Sequence, residues 1–337
     1  MAVTQQVKTR AFRVEAEGLG QGRLVEFETR ALKPSEVLIK VLYSSVNYKD
    51  ALAGTGRGKI LKSFPLVPGI DLAGIVAATA SPHFSTGDQV ILTGSGTGEE
   101  RDGGYSEYQI APADALVRCP PSLSLRDAMV LGTAGFTAAL AIHRMEQLGQ
   151  TPQKGPIVVT GASGGVGNFA VNLLAARGYE VLAVSGKAGL GDFLQKLGAA
   201  EVLRPEELAL GSRPLEKARF GGAIDNVGGE VLAGLVAATH LWGNVAAIGL
   251  TGGVTFNTTV MPFILRGVSV IGVSSNNCPM DLRSEIWQKL ASIWRPRNLE
   301  QILARVVGLD ELGAVFEEML ERKTHGRVLV TCSPEQT

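Results

Sequence analysis

Apolar positions along this chain of 337 residues follow two rhythms. Over the first 127 residues the apolar runs are short: Glu36-Val-Leu-Ile-Lys-Val-Leu42, Ala73 to Ala78, Gln89-Val-Ile-Leu92 and Tyr105 to Ile110. Gly, Pro, Ser and Asp separate them, which predicts an irregular β-rich region. Further on, short apolar runs alternate with helical spacing. Ile157 to Thr160 predicts a strand, and Val166, Phe169, Ala170, Leu173 and Leu174 recur as on one helix face. Tyr179 to Val184, Glu201 to Leu203, Ala223 to Val227, Asn244 to Ile248 and Val268 to Val273 predict further strands. Helices over Gly189 to Leu197 and Val231 to Thr239 fall between them. Such alternation of buried strands with helices predicts a doubly wound parallel sheet. Pro120-Pro121-Ser122 marks the approach to it, and Leu131-Gly-Thr133-Ala-Gly135-Phe136-Thr137 begins a connecting helix.

Between the first parallel strand and its helix lies Gly161-Ala162-Ser163-Gly164-Gly165-Val166-Gly167. Glycines there permit a sharp turn, leave room for a pyrophosphate and bring helix close to strand. The N–H groups at the helix start would hold that anion. An unliganded glycine turn would look much the same. Gly161-Ala162-Ser163-Gly164-Gly165 also fits G-x-S-x-G, the nucleophile elbow of serine hydrolases. The next strand argues for the dinucleotide. Its end, 18 residues past Gly167, is Ser185-Gly186-Lys187, where NAD sites place an acid on the ribose 2′-hydroxyl. A hydroxyl and an ammonium suit a 2′-phosphate instead, so NADPH is the expected cofactor. A solvated turn lysine is the alternative.

Composition narrows the class. Lys plus Arg and Asp plus Glu each number 32, which gives no electrostatic drive toward nucleic acid. Residues 1–8 carry no apolar core of a signal peptide, so a cytoplasmic protein with no membrane partner is expected. Cys119, Cys278 and Cys332 are scattered, as are His83, His143, His240 and His325. No metal-ligand spacing emerges from them, so no metal is expected.

Together these segments resemble the zinc-independent medium-chain dehydrogenase/reductase family. Ser44-Ser45-Val46-Asn47-Tyr48-Lys49-Asp50-Ala51-Leu52 is similar to its acrylyl-CoA reductase branch, also labelled quinone oxidoreductase. So are Phe64-Pro65-Leu66-Val67-Pro68-Gly69-Ile70-Asp71, Leu92-Thr93-Gly94 and Thr259-Val260-Met261-Pro262-Phe263-Ile264-Leu265-Arg266, and the likeness runs from about residue 8 to residue 331. The resemblance implies an α/β chain of two domains. Residues 1–127 would be the GroES-like catalytic domain, 128–296 a Rossmann domain binding NADP, and 297–337 a return to the catalytic domain. Gln301 to Leu309, a helix over Asp310 to Arg322 and Gly326 to Val330 would supply the return.

It also implies a site in an interdomain cleft, a homodimer, and Asn47 and Ile70-Asp71 where zinc-dependent relatives carry ligands. By the same likeness, Tyr48, Ser163, Gly164, Gly165, Val166, Ser185, Gly186, Lys187, Leu250, Ile264 and Ser275 line the cofactor site. Arg204 stands one position from the arginine the branch carries, and Arg322 stands where relatives carry an amide. The alternative is that Leu250 and Ile264 are simple core residues and that Tyr48 caps a β turn. The implied reaction moves hydride from NADPH to the β-carbon of an α,β-unsaturated thioester, with negative charge passing to the thioester oxygen. Asn47 and Tyr48 are the expected donors to that oxygen, with Asp50 and Asp71 orienting them.

One loop bears on the acceptor. Gly54 to Lys62 is rich in glycine and carries Arg57, Lys59 and Lys62 without an acid. It would hold the phosphates of coenzyme A, or be a solvated loop. A quinone or enone as acceptor, and cofactor binding without turnover, stay open.

Overall fold

A computed structural model of the protein describes residues 6–18 and 20–333. Residues 1–5, part of the stretch read as lacking a signal peptide, lie outside the described residues. The chain divides into two compact units. One takes the N-terminal residues to Thr133, Asn276–Ser292 and the residues from Leu299, and the other takes Ala134–Ser275 and Ile293–Asn298.

The first unit opens with an antiparallel hairpin, β1 (Lys8–Arg13) and β2 (Arg23–Glu28), which the apolar pattern did not predict. Next come β3 (Glu36–Ser45), α1 (Tyr48–Gly54), β4 (Asp71–Thr79), β5 (Gln89–Thr93), β6 (Tyr108–Pro112) and the two-residue β7 (Val117–Arg118). Helix α2 (Leu125–Gln147) starts earlier than its apolar run suggested and breaks at Gly132, whose φ of 50° suits glycine. α2 is long and apolar enough to cross a membrane, yet most of that stretch is buried within the protein.

The second unit holds β8 (Ile157–Thr160), α3 (Gly165–Ala176), β9 (Val181–Val184), α4 (Gly191–Lys196) and β10 (Glu201–Leu203). It continues through β11 (Phe220–Asp225), α5 (Gly229–Ala237), β12 (Thr239–Ala247), α6 (Met261–Arg266) and β13 (Ser269–Gly272). The six strands are parallel in the order β10-β9-β8-β11-β12-β13. The chain leaves β8 toward one edge and resumes at β11 toward the other. That reversal is the switch point at which doubly wound sheets bind dinucleotides. Val158, Ala223 and Val245 on three central strands are fully buried, which explains their continuous apolar runs.

The chain then returns to the first unit through α7 (Met280–Leu290), α8 (Leu299–Ile302), β14 (Leu303–Gly308), α9 (Leu312–Leu320) and β15 (Arg327–Thr331). Here the domain boundary differs from the expected 128–296. Asn276–Ser292 joins the first unit, because Arg283 on α7 is buried there and donates to Thr93 O at 2.6 Å and Thr93 Oγ1 at 2.9 Å. The seven-stranded sheet runs β14-β15-β3-β4-β5-β7, with β6 also on β3. β3 is long enough to pair β6 along Glu36 to Lys40 and β15 along Tyr43 to Ser45. Ser45 faces Leu329 across the β3–β15 ladder, which brings Asn47 and Arg327 together just beyond it. The start of β4 delivers Asp71 to the same place.

Candidate nucleotide and active sites

In the second unit, β8 ends at Gly161, whose φ of +59° turns the chain, and the Gly164 N–H donates back to Gly161 O at 2.9 Å. A Cβ on Gly167 would stand 2.3 Å from Gly161 O and 2.6 Å from Ala162 Cα, so only glycine lets α3 approach the turn. The turn therefore presents the first backbone amides of α3, at Gly165 and Val166, while the Gly164 N–H is spent within the turn. Buried Ser163 accepts a 2.9 Å hydrogen bond from Ser185 Oγ, and Ser185 Oγ accepts one from the Lys187 N–H at 3.2 Å. Ser163 thus faces another hydroxyl rather than an imidazole, and the hydrolase elbow does not fit. Opposite the turn, Asp225 at the end of β11 is fully buried. It takes Thr160 Oγ1 at 2.5 Å and the Gly228 N–H at 2.7 Å. This clamp fixes the loop after β11 against the end of β8.

The remaining cofactor candidates divide. Arg204 follows β10, and its neighbour Leu203 accepts the Ser185 N–H at 3.0 Å, which places Arg204 beside the Ser185 turn. Its guanidinium is paired with Glu207 at 3.1 Å and Glu206 at 3.3 Å. Leu250 and Ile264 are 64% and 74% exposed, so neither is a core residue. Ser275 lies past β13, while Tyr48 and Arg322 belong to the first unit. Arg322 sits just after α9 with a φ of 60°.

A buried polar cluster occupies the first unit. Asp71, with no exposed surface, receives Ser45 Oγ at 2.6 Å, Asn47 Nδ2 at 2.8 Å, and the N–H and Oγ1 of Thr133 at 2.9 and 2.6 Å. The break at Gly132 makes the Thr133 bonds possible. A Cβ on Gly132 would lie 2.6 Å from both Asp71 Oδ2 and Ser45 Oγ. Asn47 caps α1, and Asp50 closes the box by accepting the Asn47 N–H at 2.9 Å and Asn47 Nδ2 at 3.1 Å. Asp50 also accepts the Ile70 N–H at 2.9 Å. Burial, reinforced by the charge of Asp71, pushes the Asp50 carboxyl up to about 7. The buried Tyr105 phenol, which donates to Ser45 O at 3.2 Å, is raised by burial and by the same two carboxylates.

This geometry corrects the role expected of Asn47. Its amide has two hydrogens, one aimed at Asp50 and the other at Asp71, so neither is left for a substrate oxygen. Tyr48, the first residue of α1, is 48% exposed, and among the described residues its hydroxyl has no hydrogen-bond partner. The acid-free reading of the basic loop also changes. Arg57 pairs with Glu317 of α9 at 2.6 Å, while Lys59 and Lys62 stay exposed.

Four residues of these clusters escaped the sequence reading: Ser45, Thr133, Arg327 and Asp225. Ser45 and Thr133 stood inside quoted motifs without a role. The signal for Asp225 is an acid closing an apolar strand, and nothing local marks Arg327.

A parallel sheet with a glycine turn at its switch point, joined to a β-rich unit carrying a buried carboxylate pair, defines a dehydrogenase-like architecture. The alcohol dehydrogenase GroES-like domain matches residues 33–121, and the zinc-binding dehydrogenase family matches residues 165–292. The chain belongs to the medium-chain dehydrogenase/reductase family and is an oxidoreductase. Within that family it is similar to YhfP of Bacillus subtilis, which carries a quinone oxidoreductase name. The two are 48% identical over 90% of this chain and 92% of YhfP. The crystal structure of YhfP with NAD bound matches at a TM-score of 0.92 and 44% identity, covering 96% of this chain and 99% of that one. Acrylyl-CoA reductase AcuI of Ruegeria pomeroyi is 40% identical over 94% of this chain and 96% of its own length. The crystal structure of Escherichia coli K-12 YhdH with bound NADPH matches at a TM-score of 0.88 and 44% identity, covering 96% and 100% of the two chains.

The zinc in that family description finds no ligand set in these residues. Among the described residues no group of three or more His, Cys, Asp and Glu is placed to hold a metal. Asn47 and Ile70 offer a carboxamide and an alkyl chain, and both oxygens of Asp71 already accept hydrogen bonds.

Proposed function

We propose that this oxidoreductase uses NADPH to reduce the carbon–carbon double bond of a short 2-enoyl-CoA, acrylyl-CoA first among them. One observation carries the cofactor choice: Ser185-Gly186-Lys187 ends β9 without an acid, beside the first turn of α3. The NADPH-bound relative YhdH supports it. The amides of Gly165 and Val166 hold the pyrophosphate against the Ser163–Gly164 turn, and Ser185 and Lys187 hold the 2′-phosphate, with Arg204 able to leave Glu207 and join them. Bound there, NADPH supplies the hydride for the β-carbon. Tyr48 Oη donates to the thioester oxygen as negative charge builds on it. Asn47, Asp50 and Asp71 hold the start of α1, and solvent delivers the proton to the α-carbon.

Lys59 and Lys62 support a coenzyme A thioester. The loss of Arg57 to Glu317 favours a second reading, an uncharged quinone or enone as acceptor. Replacing both lysines by alanine separates the two. Two exposed charge contacts at about 0.5–1 kcal/mol each predict a KM for acrylyl-CoA raised about fivefold or more. An uncharged enone should be unaffected, and the difference should shrink as salt rises. Equal slowing of both acceptors would make the loop structural and leave the second reading in place.

A further inference from the structure

We infer that Arg327 is a positioning residue: from β15 it orients the Asn47 carboxamide and balances the charge of the Asp50–Asp71 pair, so that α1 presents Tyr48 with its hydroxyl free. This rests on the reading of Tyr48 as the donor to the acceptor.

The guanidinium is buried, and each of its nitrogens is committed. Nε donates to Val130 O at 3.1 Å, and Nη1 to Val46 O at 3.0 Å and Asn47 Oδ1 at 3.1 Å. Nη2 donates to Ser45 Oγ at 2.6 Å and lies 3.8 Å from Asp71 Oδ2. A guanidinium only donates, so the bond to Asn47 selects the carboxamide orientation with oxygen toward Arg327. That orientation sends both amide hydrogens to carboxylates. The opposite one would set the amide oxygen against two carboxyl oxygens.

Charge makes the same point. The groups facing Asp50 are Asp71 of β4, Tyr105, Arg327, and the amides of Ile70 and Asn47. Arg283 of α7 adds a more distant positive field on Asp71. With one proton on Asp50, the carboxyl pair and Arg327 are neutral together. When that proton leaves, near pH 7, the cluster carries one uncompensated buried negative charge. Removing the guanidinium takes away an interaction that favours ionised Asp50, so its proton should be held to higher pH.

The test is the pH profile of kcat for whichever acceptor turns over, with NADPH affinity measured alongside. Arg327→Met should lower kcat about tenfold or more, leave the NADPH Kd within about twofold, and move the transition near pH 7 up by about one unit. Arg327→Lys restores the charge and should bring the transition back. An unmoved transition in Arg327→Met, or no recovery of it in Arg327→Lys, would overturn the inference. Should Arg327→Met fail to fold, Arg327→Gln serves instead, read by urea unfolding against pH. The fall of its stability with rising pH should continue about one pH unit further than in the intact chain, and an unmoved fall would overturn the inference as well. The stability measurement needs no acceptor, so failure of the proposed reaction and failure of this inference are separable.

Discussion

Asp50 ties protonation to the first turn of α1. Its folded value near 7 stands well above the unfolded value of about 3.9. Between those values the folded chain keeps a proton that the unfolded chain has lost, so stability falls as pH rises. The loss amounts to something on the order of 4 kcal/mol once pH passes 7. Urea unfolding across this range should show wild type weakening toward pH 7 and Asp50→Asn holding level. Parallel curves would mean that Asp50 is ionised throughout. At this scale the sequence named Asn47, Asp50 and Asp71 as neighbours in chemistry, but not the direction of their bonds. Which way a carboxamide points depends on Arg327, which lies 280 positions further along the chain.

Among elements, the end of β9 carries the sharpest expectation. Lys187 is placed by the short strand Val181–Val184 and by the Ser185 hydroxyl that accepts its N–H. Losing a charge-assisted contact to a 2′-phosphate costs roughly 1.5–3 kcal/mol. Lys187→Ala should therefore weaken NADPH binding by about tenfold or more and leave NADH nearly unchanged. Titration of both cofactors by fluorescence checks this, and equal weakening would remove the 2′-phosphate assignment. The parallel strands were legible because strands covered on both faces read as unbroken apolar runs bounded by glycine. Their ends moved by a few residues; β12 begins at Thr239 rather than at Asn244, because His240, Leu241 and Trp242 continue the strand while partly or wholly exposed. The β1–β2 hairpin was missed for a related reason: β2 has no fully buried residue and shows only a weak alternation.

For the whole molecule, the legible part was the division into a β-rich unit and a doubly wound unit. The illegible part was what the C-terminal segment does. Arg327 reaching Asn47 and Glu317 reaching Arg57 are contacts made by topology, and local spacing carries no trace of them. Topology also leaves a sheet edge uncovered. β13 is the last strand of its sheet, and an uncovered edge invites pairing. Trp242 and Ile264 of the same unit are 70% and 74% exposed, and the Trp242 ring packs over Gly267, just before that strand. We propose a homodimer that extends the sheet through β13. Light scattering at micromolar concentration should give twice the chain mass, and a stable monomer would contradict it. The acceptor is decided by initial rates of NADPH oxidation with acrylyl-CoA, crotonyl-CoA and a quinone, side by side. The highest kcat/KM is expected for acrylyl-CoA. Faster turnover of the quinone, or NADPH binding without oxidation by any of the three, would contradict it.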